Sequence, residues 1–130
     1  QDPLPFGIYT IPEISIVGKT EAQLTSDRVP YEIGMARYSE TARGQIVGDS
    51  TGRLKLLVHT ETRDLLGVHI IGEGASELTH IGQAVIALNG KLDYLVNNVF
   101  NYPTLAECYK VAALDAYNKI SRYTPLRKAA

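Results

Sequence analysis

The hydrophobic period of the chain changes at one point, and this change restricts the fold more than any other feature. Residues 53–60 and 65–72 are rich in aliphatic residues and flank the polar turn 61–64, a pattern that predicts a β-hairpin. Over residues 75–88 the apolar positions recur every three or four residues, which predicts a helix. Strands followed by clustered helices favour an α+β fold, in which an antiparallel sheet carries helices packed on one face.

The rest of the chain adds elements of the same two kinds. Thr20 and Gln23 have the spacing of a capping box, which predicts a short helix that ends before Pro30. The other expected elements are strands over residues 9–18 and 31–38, irregular structure or one helical turn over 39–52, and helices over 92–96 and 105–120. We therefore expect a lead-in over residues 1–8, one domain over residues 9–123 and a tail over residues 124–130.

Composition excludes several classes of partner. With 45% apolar and 21% charged residues the chain has the profile of a globular domain, and its formal charge of -1 gives no bulk attraction to nucleic acid or to anionic lipid. No segment has the length of a membrane helix. The single cysteine, Cys108, favours a reducing compartment, so we expect a cytoplasmic protein. A start at Gln1 rather than Met suggests processing or a piece of a longer protein.

A glycine-containing turn before the helix raises the possibility of nucleotide binding. In the sequence Gly72-Glu73-Gly74 the two glycines stand where a dinucleotide fingerprint would place them. The third glycine of that fingerprint is replaced by Glu77, whose bulk and negative charge are unfavourable beside a phosphate. A tight strand-to-helix turn is therefore favoured over a nucleotide site.

Isolated histidines and the cysteine have structural explanations. His59 and His69 lie on the two strands of the hairpin and His80 on the helix after it, without a carboxylate or cysteine at metal-ligand spacing. Hydrogen-bonded or solvated histidines are thus favoured over a metal site. Cys108 falls on the apolar stripe of the last helix, where a buried small hydrophobic residue is favoured over a nucleophile.

Polar groups are concentrated before the last helix, within residues 99–107. The spacing of Thr104 and Glu107 predicts a capping box, in which Glu107 bonds the backbone and does no chemistry, and a functional site at these residues is the alternative. Several tyrosines lie in this C-terminal part, and tyrosine is frequent at protein interfaces. We expect the apolar stripe of the last helix and the helix over residues 75–88 to bury surface against a second copy.

Five motifs together indicate a family. They are Ile11-Pro12-Glu13-Ile14 with Val17-Gly18, Arg43-Gly44, Leu66-Gly67-Val68-His69 with Gly72, Gly74-Ala75-Ser76-Glu77-Leu78, and Tyr102-Pro103-Thr104-Leu105-Ala106-Glu107. The chain resembles, over nearly its whole length, the C-terminal interface domain of the flavin-dependent pyridine nucleotide-disulfide oxidoreductases. The resemblance implies an FAD-containing homodimer, in which this domain forms much of the subunit interface and completes the active site of the partner chain.

One position departs from the family pattern. In disulfide-reducing members, His-Pro-Thr-x-x-Glu supplies a histidine base that the glutamate orients, whereas here Tyr102 stands at the base position and Pro103, Thr104 and Glu107 match. An ordinary phenol has a pKa of about 10 and is a poor proton shuttle at neutral pH, so disulfide reduction is disfavoured. The motifs within residues 7–14, 43–48, 100–104 and 111–114 instead resemble members that exchange hydride between NAD(H) and NADP(H) through FAD, which needs no thiol base.

The resemblance also implies roles for single residues. Tyr102 and Pro103 are the positions that approach the flavin of the partner subunit, and no residue is assigned a catalytic role, since Tyr102 replaces the histidine and Glu107 is expected to cap the helix. The FAD domain, the NAD(P) domain and the redox cysteines of the family precede this domain. The chain alone is therefore expected to bind no cofactor and to be inert. The alternatives are the interface domain of another flavin-dependent reductase, such as dihydrolipoamide dehydrogenase, and a free-standing interaction module.

Overall fold

A five-stranded antiparallel sheet forms the centre of the computed structural model, which describes residues 3–123. The strands are β1 (Phe6–Ile8), β2 (Ile14–Gly18), β3 (Tyr31–Arg37), β4 (Arg53–His59) and β5 (Leu65–Ile71), in the spatial order β1-β2-β5-β4-β3. The helices are α1 (Glu21–Ser26), α2 (Ala42–Val47), α3 (Ala75–Ala87), α4 (Leu92–Asn97) and α5 (Glu107–Tyr123), and a 3₁₀ turn covers Tyr38–Glu40. The predicted hairpin is β4 and β5.

The long helices lie on one face of this sheet, which confirms the predicted α+β class. Along β4, the residues Leu54, Leu56 and Val58 alternate toward that face and are fully buried in the main hydrophobic core. Helix α5 packs on β3 and β4, and α3 packs on β2 and β5. The short helix α1 lies against the opposite face, where Glu21 pairs with Lys55.

The N-terminal strands differ from the prediction in where they begin. The strand expected over residues 9–18 begins only at Ile14, because residues 9–13 form the turn that joins β1 to β2. The Ile11-Pro12 peptide bond in this turn is cis. Within the expected lead-in, Phe6–Ile8 pairs with β2 as an edge strand, with Phe6 opposite Ile16 and Ile8 opposite Ile14.

Residues 39–52 contain a helix, α2, where irregular structure or one helical turn was expected. The Thr41 hydroxyl accepts a hydrogen bond from the Gly44 N–H at the start of α2. Gly48 ends the helix in the left-handed region, with φ of 73°. A Cβ at Gly44 would lie 1.9 Å from the Tyr38 carbonyl oxygen, so the close turn around Tyr38 requires glycine. A threonine cap at one end and a glycine cap at the other define this helix, and its apolar residues Ile46 and Val47 stay exposed.

The apolar stripe of α5 was expected to face a second copy, and that expectation is wrong. Its residues are at most 5% exposed within this single chain and belong to the chain's own core: Cys108, Tyr109, Ala112, Ala116 and Ile120. The stripe contains small residues because the α5 backbone crosses β3 at very short distance. A Cβ on Gly34 of β3 would lie 2.1 Å from the carbonyl oxygen of Ala112. Small residues at this crossing let the α5 backbone approach the sheet.

A tyrosine hydroxyl joins α5 to α3. Tyr109 donates its hydroxyl to the Leu78 carbonyl at 2.7 Å and accepts the N–H of Gly82 at 3.0 Å. In an uninterrupted helix the Gly82 N–H would bond to the Leu78 carbonyl directly, so the hydroxyl bridges one turn of α3. Burial raises the pKa of Tyr109, which keeps the bridging proton in place.

Candidate functional site

The segment between α4 and α5 exposes side chains on a backbone that other elements hold. The Tyr102 side chain is 74% exposed and Val99 is 85% exposed, and the Tyr102-Pro103 peptide bond is cis. Three carbonyl oxygens of the segment accept hydrogen bonds from side chains, those of Asn98 from Lys110, Asn101 from Thr104, and Pro103 from Arg43. The loop therefore presents Tyr102 from a fixed main chain.

The two longer anchors come from the helices on either side. Arg43 on α2 donates its Nε–H to the Pro103 oxygen at 3.3 Å, and Lys110 on α5 donates from Nζ to the Asn98 oxygen at 2.9 Å. Arg43 lies in one of the five motifs on which the family resemblance rests, but its contact with Pro103 joins residues far apart in the chain. No local spacing in the sequence indicates such a contact, and none was predicted.

The capping box expected from Thr104 and Glu107 is not formed. Helix α5 begins at Glu107 itself, whereas a capping box would require Thr104 to be the N-cap and Glu107 the third helical residue. The Thr104 hydroxyl instead donates to the Asn101 carbonyl and closes the loop. Glu107 remains favourable in the first turn, because a carboxylate there complements the helix dipole.

Beside Tyr102 the surface forms an open cleft of about 250 Å³. The cleft lies between α2 and the start of α5, and its lining residues are Glu40, Thr41, Ala42, Gln45, Tyr102, Glu107 and Val111. Its wall contains an exposed phenol, two carboxylates and an amide, and no imidazole. This arrangement can contact a planar or polar group placed against it, but it contains no histidine base for thiol chemistry.

The Cys108 thiol has no place in this chemistry. It is buried in the core, as expected for a small hydrophobic residue. Burial raises the pKa of the Cys108 thiol to about 12, and the hydrogen bond with Thr41 offsets this only in part. A thiol with such a pKa is not a nucleophile at neutral pH.

The start of α3, where a nucleotide phosphate would bind, is occupied by a carboxylate of the chain. Glu13 Oε2 accepts the Ser76 N–H at 3.1 Å and the Ser76 hydroxyl at 2.7 Å. Gly74 precedes the helix with φ of 70°. The amide that a phosphate would need is thus paired with a negative charge, which supports the tight turn over a nucleotide site.

The same contact makes the cap of α3 dependent on pH. The Ser76 hydroxyl, followed by the Ser76 amide, lowers the pKa of Glu13 below its ordinary value of 4.5, against a smaller effect of burial. A lowered folded-state pKa stabilises the fold above the ordinary value, and this stabilisation is lost as the pH falls through the folded-state value.

We therefore expect Glu13→Gln to lower the melting temperature at about pH 6 and to have a smaller effect at about pH 3, as measured by circular dichroism. Glu61→Gln, which removes an exposed carboxylate in the turn between β4 and β5, is the control and should change little at either pH. A Glu13→Gln effect of equal size at both values would contradict the ionised cap.

The three histidines lie apart. The β4–β5 register places His69 opposite Lys55, so His59 and His69 are not cross-strand neighbours. The His59 Nδ1 accepts two turn amides, and the His69 Nε2 contacts the Lys19 carbonyl. Over residues 3–123 no group of three or more His, Cys, Asp or Glu residues could hold a metal ion.

Among the helices within residues 3–123, none combines the length and the apolar composition that a membrane span requires.

The family of the domain with this fold and this anchored loop is identified by comparison with known proteins. The family model described as "Pyridine nucleotide-disulphide oxidoreductase, dimerisation domain" matches residues 4–113. The chain belongs to this family.

Curated relatives place the chain close to one kind of member. It is 59% identical over 124 residues to the soluble pyridine nucleotide transhydrogenase of Mycobacterium tuberculosis, a match that covers 95% of this chain and 26% of the relative. It is 55% identical over 122 residues to the protein of the same name from Photobacterium profundum, covering 92% and 26%. The chain thus spans about a quarter of the length of these relatives.

Solved structures share the fold at low sequence identity. The flavoprotein disulfide reductase RclA from Escherichia coli superposes with a TM-score of 0.82 at 21% identity, covering 88% of this chain and 26% of that one. LpdA from Mycobacterium tuberculosis gives a TM-score of 0.80 at 22% identity, covering 85% and 24%. The likeness confirms the architecture of the sheet and helices.

Proposed function

We propose that the chain serves as the dimerisation domain of a flavoenzyme that transfers reducing equivalents between NAD(H) and NADP(H) through FAD. The observation that carries this proposal is the 59% identity, over 95% of the chain, to a soluble pyridine nucleotide transhydrogenase. The parent protein is a cytoplasmic homodimer in this proposal, and its FAD and NAD(P) domains lie in the part of the relatives that the chain does not match.

In this proposal Tyr102 and Pro103 contact the flavin that the partner subunit binds. FAD, when bound, accepts and returns the hydride, and the residues of this chain do no proton chemistry on a thiol. The residues fit a contact of this kind. The Tyr102 ring is exposed, and the Pro103 backbone is fixed by Arg43, so the loop can form one wall against a flat group without rearranging.

The size of the open cleft supports the expectation that the residues around Tyr102 do not form a complete flavin site by themselves. Small-molecule sites bury most of their ligand in a cavity of about 300–1,000 Å³, whereas the cleft beside Tyr102 measures about 250 Å³ and is open. We infer that the remaining walls belong to the partner subunit, and that the isolated chain is inert.

The full-length parent, purified with its upstream domains, tests the function. We expect NADPH-dependent reduction of an NAD⁺ analogue, no reduction of lipoamide or glutathione disulfide, and a retained flavin spectrum. Tyr102→Ala should lower turnover by about tenfold, because a displaced flavin contact misaligns the reacting rings. Tyr94→Ala, at a half-exposed tyrosine on α4, is the matched control and should leave turnover unchanged.

Other outcomes would overturn parts of the proposal. Reduction of lipoamide at a rate similar to nicotinamide exchange would assign the parent to the disulfide reductases. A flavin spectrum that the isolated chain retains through gel filtration would show that the chain completes a flavin site alone.

A further inference from the structure

The free edge of β3 is the part of the sheet at which the chain could join another strand. β3 is the last strand of the sheet, and it has seven residues, whereas β1 at the opposite edge has three. An edge strand presents every second backbone N–H and C=O away from its neighbour, and these groups can pair with a strand of another molecule. The residues that alternate outward on β3 are Tyr31, Ile33, Met35 and Arg37.

The last three of these outward amides each donate to a carboxylate of the same chain. The three hydrogen bonds are Ile33 N–H to Glu32 at 2.8 Å, Met35 N–H to Asp115 at 2.9 Å, and Arg37 N–H to Glu40 at 2.8 Å. The carboxylates come from three different elements, namely β3 itself, helix α5 and the 3₁₀ turn. The bond between the Arg37 N–H and Glu40 also caps the 3₁₀ turn.

The outward carbonyl of Ile33 is also occupied. Lys119 donates from Nζ to this oxygen at 2.8 Å, and it also pairs with Asp115, one turn earlier on α5, at 2.7 Å. Asp115 and Lys119 thus form an ion pair along the strand. The carboxylate accepts the Met35 N–H, and the ammonium group donates to the Ile33 carbonyl. An approaching strand would have to displace both ends of an ion pair as well as the backbone bonds.

We infer that these four side chains, Glu32, Glu40, Asp115 and Lys119, close the β3 edge to strand addition and so exclude it from the surfaces through which copies of the chain associate. The alternation of these bonds along β3 distinguishes this role from that of ordinary solvated carboxylates on the surface. Solvated carboxylates would be distributed without regard to the two-residue period, whereas all three accept from consecutive outward amides. Self-association of the chain then uses side-chain surfaces and not a continuous sheet across β3.

Two variants of equal charge separate hydrogen-bond acceptance from charge. In Glu32→Ala/Glu40→Ala/Asp115→Ala the acceptors are removed, and in Glu32→Gln/Glu40→Gln/Asp115→Asn the charges are removed while an acceptor oxygen is kept at each position. A third variant, Glu61→Ala/Glu73→Ala/Glu77→Ala, removes three exposed carboxylates away from the edge and matches the change in net charge.

We expect the first variant alone to form assemblies larger than those of the unmodified chain, growing with concentration in sedimentation velocity, with an intermolecular β-sheet band in the infrared spectrum. The amide-retaining variant and the off-edge control should behave as the unmodified chain does. Equal association in the first variant and the off-edge control would overturn the inference, since loss of charge would then explain it.

Hydrogen exchange gives a test that does not require the first variant to fold. In the unmodified chain the amides of Ile33, Met35 and Arg37 should be protected, although they face away from β4. The single variant Asp115→Ala should accelerate exchange at Met35 by about tenfold, as expected for the loss of one charged hydrogen bond, and change Ile33 and Arg37 less. Exchange of all three amides at the rate of an unprotected peptide in the unmodified chain would refute the closed edge.

Discussion

Gly34→Ala is expected to destabilise the chain by about 2–4 kcal/mol. The added Cβ would lie 2.1 Å from the Ala112 carbonyl oxygen and 2.9 Å from the Ala116 Cβ, so α5 has to move away from β3. The sign of the change in stability distinguishes a steric clash from the usual effect of this substitution. Replacing glycine by alanine where there is room usually stabilises a fold by about 0.4–1 kcal/mol through the unfolded chain. Urea unfolding followed by circular dichroism measures the difference.

Gly7→Ala provides the matched control for this substitution. Gly7 also lies in a strand, but the nearest atom to its added Cβ is the Tyr9 hydroxyl oxygen at 3.4 Å, an ordinary contact. We expect Gly7→Ala to change the free energy of unfolding by less than about 0.5 kcal/mol. If both variants unfolded at the same urea concentration, the close crossing of α5 over β3 would be refuted.

Tyr109→Phe has the second largest expected effect, a loss of about 2 kcal/mol of stability. The substitution keeps the ring but removes the hydroxyl that bridges Gly82 N–H and Leu78 C=O, and both groups are then left inside the structure without their partner. A Cβ at Gly82 would lie 2.5 Å from a methyl group of Val68, so α3 is held close to β5 at this turn and cannot readily move to rebuild the bond.

Amide exchange at Gly82, together with thermal unfolding, measures this effect. Exchange at Gly82 should accelerate in Tyr109→Phe, while amides at the far end of α3 change little. Tyr117→Phe on the same helix is the control, because the Tyr117 ring contacts Arg63 through its face, 5.0 Å from the guanidinium, and the substitution keeps that ring. Unchanged stability and unchanged exchange at Gly82 would mean that α3 closes its own hydrogen bond.

Local sequence patterns predicted an element of the fold well where its residue types repeat or are spaced in a clear pattern. The hairpin of β4 and β5 follows from alternation about a polar turn, and the capping box of Thr20 and Gln23 forms as expected, with hydrogen bonds of 3.2 and 2.9 Å. Helix α2 was expected only as irregular structure or one helical turn, because its ends, Thr41 and Gly48, define it more than its apolar residues do. The period of a short exposed helix is too weak to detect.

The candidate site was predicted by resemblance, and its construction was not. Tyr102 and Pro103 remain predicted flavin contacts. The loop geometry around them depends on Arg43 and Lys110, which the sequence does not relate to it. The cap at Thr104 was wrong because two residues of turn, Leu105 and Ala106, separate it from the first residue of α5. A capping-box spacing states which bonds are possible but not where a helix starts.

Because its carbonyl groups anchor the loop, the path of its backbone does not depend on the side chain that it presents. Main-chain oxygens of Asn98, Asn101 and Pro103 fix the path of the backbone, and none of these bonds involves the side chain at position 102. The identity of that side chain is therefore free to change without altering the path. A scaffold of this kind can exchange an imidazole for a phenol at a single codon while the loop keeps its path.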